Sequence, residues 1–109
     1  MDFNYYQKRS RKTAQYPAIG NKIIYPTLGL LGESGEVAEK IKKLFRDKSG
    51  KLTKEYKMEI IKELGDILWY LSQMTSELGM SLNDVAKNNL KKIESRKDRN
   101  LISGDGDNR

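Results

Sequence analysis

Apolar residues recur every three to four positions along most of the chain, with no sustained alternation of period two, so the pattern reads as four helices. The first covers roughly Asp2 to Ala14 and is broken by Tyr16-Pro17 and Gly20-Asn21. A second runs from Ile24 or Pro26 to Arg46 and stops at Asp47-Lys48-Ser49-Gly50. The third spans Thr53 to Leu78, with Thr53 as N-cap and Gly79 just past the end. The fourth starts at Ser81, whose hydroxyl with Asp84 three residues on resembles a capping box, and reaches about Lys97. Short connections make neighbours antiparallel, so the expected fold is all-α: a compact antiparallel bundle of about four helices. One domain fills residues 1–109, with a polar tail at about 100–109 read as loop or flexible chain. One apolar stripe per helix and a glycine-lined side offer more contact surface than one short bundle uses, so the core is expected to be completed by oligomerisation.

Composition then narrows the chemistry. The chain is 37% hydrophobic and 33% charged, and no apolar run approaches the roughly 18 residues of a membrane span. Met1 to Ser10 has no apolar signal core, so a cytoplasmic protein without a membrane partner is expected. There is no cysteine and no histidine, which removes thiolate nucleophiles, disulfides, imidazole bases and histidine-ligated metals. Any catalysis must rest on carboxylates, and carboxylate-rich sites suit hard cations such as Mg²⁺ or Mn²⁺. The formal charge of +6 attracts polyanions in general, or is simply a solvated basic surface.

Placed on a helical wheel, the carboxylates of the two central helices become specific. In the second helix Leu30, Leu31, Val37, Ala38, Ile41, Leu44 and Phe45 form one apolar sector. Glu33 falls about 20° outside it, Glu36 follows one turn on, and Glu39 points away. In the third, Ile60, Ile61, Leu64, Ile67, Leu68, Leu71, Met74 and Leu78 form the sector, with Glu63 at its margin and Asp66 three residues on. Antiparallel packing lets the two acidic pairs meet, and their repulsion then calls for a divalent cation. The plainer reading makes them helix surface, with Lys40 and Lys43 as partners one turn away. Gly29, Gly32 and Gly35 line the second helix at a cost of roughly 1 kcal/mol each relative to Ala, which implies close approach by a neighbouring helix or a bound nucleotide. Gly65, between Glu63 and Asp66, poses the same question.

The stretch Leu28-Gly29-Leu30-Leu31-Gly32-Glu33-Ser34-Gly35-Glu36-Val37-Ala38-Glu39, followed by Lys62-Glu63-Leu64-Gly65-Asp66-Ile67-Leu68-Trp69-Tyr70-Leu71, closely resembles the MazG-like nucleotide pyrophosphohydrolases. Their ExxE and ExxD pairs match Glu33 with Glu36 and Glu63 with Asp66. The resemblance implies that these four hold Mg²⁺, with Mn²⁺ as a substitute, and that the enzyme hydrolyses NTPs or dNTPs to the monophosphate and pyrophosphate. Glu36 and Glu63 are the implied catalytic carboxylates, Glu36 as a general base acting through water. A family-like Asn-x-x-Lys-x-x-x-Arg pattern puts Asn89, Lys92 and Arg96 near the phosphates, although Asn89 on its apolar stripe also reads as a structural amide. Trp69 and Tyr70 either pack in the core or lie against the base. Family members form homodimers or homotetramers, and the role implied is upkeep of the nucleotide pool.

Other readings stay open at this level. A related helical family cleaves a phosphoribosyl-ATP-type nucleotide. A helical interaction module would account for the stripes and glycines without chemistry. A nucleic-acid-binding module would use the positive charge, but the most distinctive residues are acidic.

Overall fold

All four helices form, and there are no strands. In the computed structural model, which describes residues 1–109, α1 spans Phe3–Arg11, α2 Ile24–Asp47, α3 Lys54–Glu77 and α4 Leu82–Asp98. None is long and apolar enough to cross a membrane.

Local chemistry sets most of the ends. Asp2 caps α1 from outside, its Oδ1 accepting from Tyr5 N at 2.8 Å. Thr53 Oγ1 accepts from Tyr56 N at 3.1 Å, and Ser81 Oγ from Asp84 N at 3.0 Å, the serine half of the expected box. After α3, Gly79 adopts φ +72°, and the bonds Gly79 N to Ser76 O and Met80 N to Thr75 O close a Schellman turn. The end of α1 is different. It stops at Arg11, short of Ala14, and passes into i→i+3 turns, with Lys12, Thr13 and Ala14 N bonded to Arg9, Ser10 and Arg11 O; there Thr13 Oγ1 donates to Ser10 O at 2.6 Å and accepts from Trp69 Nε1 at 2.9 Å. A contact across 56 residues thus holds the chain where the helix gives way.

The framework is the antiparallel hairpin of α2 and α3. Thr27 Oγ1 lies 3.4 Å from Met74 Sδ near one end, and the Tyr56 hydroxyl donates to Lys40 O near the other. Between them the Tyr70 ring lies flush on the backbone at Gly29, where a Cβ would come within 2.2 Å of the ring. Only glycine permits that approach. Gly32, Gly35 and Gly65 have open space instead, so the close approach expected for the whole series occurs at Gly29 alone.

α1 docks on α3 through a polar seam. Ser72 and Gln73 are fully buried there: Ser72 Oγ sits 3.1 Å from Ser10 Oγ, while Gln73 Nε2 donates to Ser10 Oγ and its Oε1 accepts from Arg11 Nη1, both at 3.2 Å. Gln7 then fixes the start of α4, donating to Met80 O at 2.9 Å and accepting from Leu82 N at 2.7 Å. A buried polar group left unpaired costs about 1–3 kcal/mol, so this network selects one docking geometry for α1.

Apolar burial within the chain is small. Leu44 and Leu82 are buried, whereas Leu31 and Phe45 are 65% and 68% exposed, and Ile61, Leu64, Leu90 and Ile93 are exposed too. The sectors read from the wheels as buried faces are therefore only partly covered by this chain's own helices. Beyond α4, Asn100 takes φ +57° and closes a second Schellman turn, with Leu101 N bonded to Arg96 O at 2.7 Å. This turn sends residues 101–109 back toward α4.

Candidate metal centre and phosphate-binding residues

The hairpin brings three of the four expected carboxylates together. Glu33 from α2 and Glu63 and Asp66 from α3 each offer an oxygen, and these oxygens lie within 4.8 Å of one another. Glu33 and Glu63 are half-buried and Asp66 is exposed. Glu36 stands exposed one turn along α2, outside this trio but close enough for its charge to act on Glu33. The outward Glu39 pairs with Lys42 at 2.8 Å.

Glu33 feels the crowding most. Burial, a hydrogen bond shared with Glu63, and the charges of Asp66, Glu63 and Glu36 together raise its pKa above the ordinary glutamate value. Two tyrosines border the cluster. Burial, then the Tyr25, Glu33 and Asp66 side chains, raise the Tyr70 phenol, while burial and Asp66 raise Tyr6. One cation enters the margin: Lys40 Nζ lies 3.8 Å from Glu63 Oε1. Lys40 reads from the sequence as a partner for Glu36, yet it sits seven residues after Glu33, nearly in line with it on the helix face that meets α3. That spacing was the available signal.

Trp69 and Tyr70 are engaged in packing. Trp69 meets Tyr16 and Tyr70 edge-on at 6.2 and 5.1 Å, and Tyr16 stacks on Tyr25 at 5.5 Å. This aromatic group clamps the segment between α1 and α2 against α3. The residues from α4 stand on a helix that contacts α1 and α3 but not α2, the helix of Glu33. Asn89 is exposed, contrary to its reading as an amide within a buried stripe, since no helix of the chain covers that stretch of α4. Lys92 and Arg96 do converge, both on Asp107 of the tail.

The family model for the MazG nucleotide pyrophosphohydrolase domain matches residues 26–100. The chain belongs to that family. The match takes in α2, α3 and α4, hence every expected site residue, and leaves α1 outside. The protein named Gene 37 protein of Mycobacterium phage L5 is 44% identical over 114 aligned positions, covering the whole of both chains. No solved structure matches.

The donor set of this MazG domain fits a hard divalent cation. It is all oxygen, it gathers three carboxylates with only Lys40 in salt-bridge reach, and burial together with the neighbouring carboxylates raises the pKa of Glu33. The raised pKa has a consequence for stability. The folded chain binds a proton at Glu33 more tightly than the unfolded chain does, so the contribution is full below the ordinary glutamate pKa and is lost as pH rises through the raised folded value. In EDTA, Glu33→Gln should be more stable than wild type at about pH 7.5, and the gap should close toward about pH 4.5. Thermal melts of both proteins across that range check this, and a gap independent of pH would contradict it.

Proposed function

We propose that this MazG-family protein is a Mg²⁺-dependent nucleoside triphosphate pyrophosphohydrolase, converting an NTP or dNTP and water to the monophosphate and pyrophosphate. The observation that carries the reading is the convergence of Glu33, Glu63 and Asp66 across the α2–α3 hairpin. These three, with Glu36, would hold Mg²⁺, and Mn²⁺ satisfies the same oxygen donors. When bound, the cation would offset and align the triphosphate and make a water acidic enough to attack. Glu36 is exposed beside the trio, which suits it to take the proton from a water attacking the α-phosphorus, and Glu63 holds the opposite side of the cluster. Lys92 and Arg96 would bind phosphate oxygens, with Asn89 exposed on the same helix to add a polar contact. Tyr70, backed by Trp69, presents an aromatic surface at the acidic margin for the base. Maintenance of the nucleotide pool in the cytoplasm is the setting we assign.

The working form is a homo-oligomer, a dimer or tetramer. A self-contained chain of this mass exposes about 6,200 Å², whereas this one exposes 8138 Å². Its radius of gyration is 16.8 Å, against about 13 Å for a compact domain of roughly this length. The excess area matches what an obligate homodimer buries, and the uncovered residues on α2, α3 and α4 supply an apolar face for it. Light scattering at micromolar concentration should give at least a dimer, and a fully active monodisperse monomer would remove the assembly.

Glu63→Gln keeps the size of the side chain and deletes one charge from the trio. Mg²⁺ affinity and pyrophosphate release should fall together, by about two orders of magnitude or more. Glu39→Gln, on the outward face, should leave both near wild type. Assays of pyrophosphate release on a nucleotide panel, with and without Mg²⁺, read the result. Near-normal turnover by Glu63→Gln would rule out the assigned site, and no turnover of any nucleotide by wild type would favour an interaction module.

A further inference from the structure

The tail after α4 carries its own anion to the two cations assigned to phosphate. Lys92 Nζ lies 2.8 Å from Asp107 Oδ1, and Arg96 Nη2 lies 3.2 Å from the same oxygen and also donates to Asp107 O. Arg96 is only 5% exposed under this loop, while the Asp107 side chain is 75% exposed. One carboxylate oxygen thus serves two cations, and the buried Arg96 Nε has no partner at all. The donor set of the pair is larger than Asp107 fills. A phosphate group, with three oxygens and up to two charges, would fill more of it.

The loop has anchors besides Asp107. Arg109 threads back into it, with Nε donating to Leu101 O at 3.0 Å, Nη2 to Ile102 O at 2.7 Å and Nη1 to Gly106 O at 2.5 Å. Arg99 Nη2 in turn donates to Arg109 O at 2.9 Å. Gly104 and Gly106 take φ +130° and +83°, which favour glycine and allow so tight a return. Asp107 can therefore release its cations while the clasp made by Arg109 holds. Its pair with Lys92 lies at the surface and is worth little, whereas the oxygens it withdraws from the buried Arg96 guanidinium must be replaced by those of the incoming phosphate. Beside them a groove of about 370 Å³ is lined by Lys91, Lys92, Arg99 and Arg109, with Asp107 its only acidic side chain.

We propose that Asp107 is an internal competitor for phosphate: its carboxylate occupies the Lys92–Arg96 pair in the free protein and is displaced when the polyphosphate chain of a ligand arrives. The loop is thus an autoinhibitory cover that lowers affinity for phosphate-bearing molecules that cannot supply enough oxygens to replace it. This rests on the assignment of Lys92 and Arg96 to phosphate. The contact favours multiply charged polyphosphates over singly charged anions, since only the former gain more at the pair than the loop loses.

Binding of inorganic tripolyphosphate, measured by calorimetry on the full chain in EDTA, tests the contact without the metal site. Asp107→Asn should bind about 3–10-fold more tightly than wild type, an effect on the order of one removed competing charge at a surface pair. Asp105→Asn removes the same charge from the same loop, away from the pair, and should bind as wild type does. Adding Lys92→Gln to Asp107→Asn should erase the gain. Circular dichroism melts of each variant show that the fold is kept. Equal affinities for wild type and Asp107→Asn, with Lys92→Gln weakening both, would overturn the competitor while leaving the phosphate pair in place. Weaker binding by Asp107→Asn would also overturn it, making Asp107 a positioning residue instead. No binding by any of these proteins, with Lys92→Gln without effect on turnover, would overturn both the competitor and the phosphate assignment. An equal gain in Asp105→Asn would reduce the effect to general charge and likewise overturn the proposal.

Discussion

The Tyr70 ring against the bare backbone of Gly29 sets how closely α2 and α3 approach, and the candidate site depends on that spacing. A side chain at position 29 would force the ring away or the helices apart. Trp69 packs edge-on against Tyr70 and donates to Thr13, so the same contact is braced from the α1 side. Four residues after Gly29, Glu33 then faces Glu63 and Asp66 with their oxygens within 4.8 Å. A packing constraint between two uncharged residues therefore decides an electrostatic outcome.

That outcome is a cluster whose charges are unbalanced within the fold. Lys40 approaches Glu63 at 3.8 Å, too far for a good hydrogen bond, and burial together with the remaining repulsion raises the pKa of Glu33. Lys92 and Arg96 on α4 do not offset it, because Asp107 takes them up. On the proposed function, the carboxylate trio and the basic pair are separate sites, one for a cation and one for an anion. A Mg²⁺-bound nucleoside triphosphate carries the complement of both, with the metal for the carboxylates and phosphate oxygens for the basic pair.

What the sequence revealed depended on range. Thr53, Gly79 and Ser81 end their helices through bonds to residues a few positions away, so the caps were readable locally. The spacing of Glu33, Glu63 and Asp66 is fixed by helical geometry and an antiparallel hairpin, and both were inferable from pattern. The end of α1 was not, where Trp69 reaches Thr13 from a distant helix. Periodicity places Asn89 on an apolar stripe, and it shows which face is apolar but not whether the same chain covers it. Spacing along one helix offers Lys40 to Glu36, whereas packing turns it to Glu63 on the next. The tail looked featureless for want of apolar residues, since its order comes from the left-handed turn at Asn100 and the Arg109 clasp.

The central claim is that Glu33, Glu63 and Asp66 hold the divalent cation used on a nucleoside triphosphate. Its most direct test is anomalous diffraction from crystals grown with Mn²⁺ and a non-hydrolysable triphosphate analogue, because the scattering locates the ion independently of any assay. An anomalous peak bounded by those three carboxylates and in contact with the analogue's phosphates is the expected result. Mn²⁺ and analogue bound elsewhere, with the three carboxylates free of metal, would contradict it.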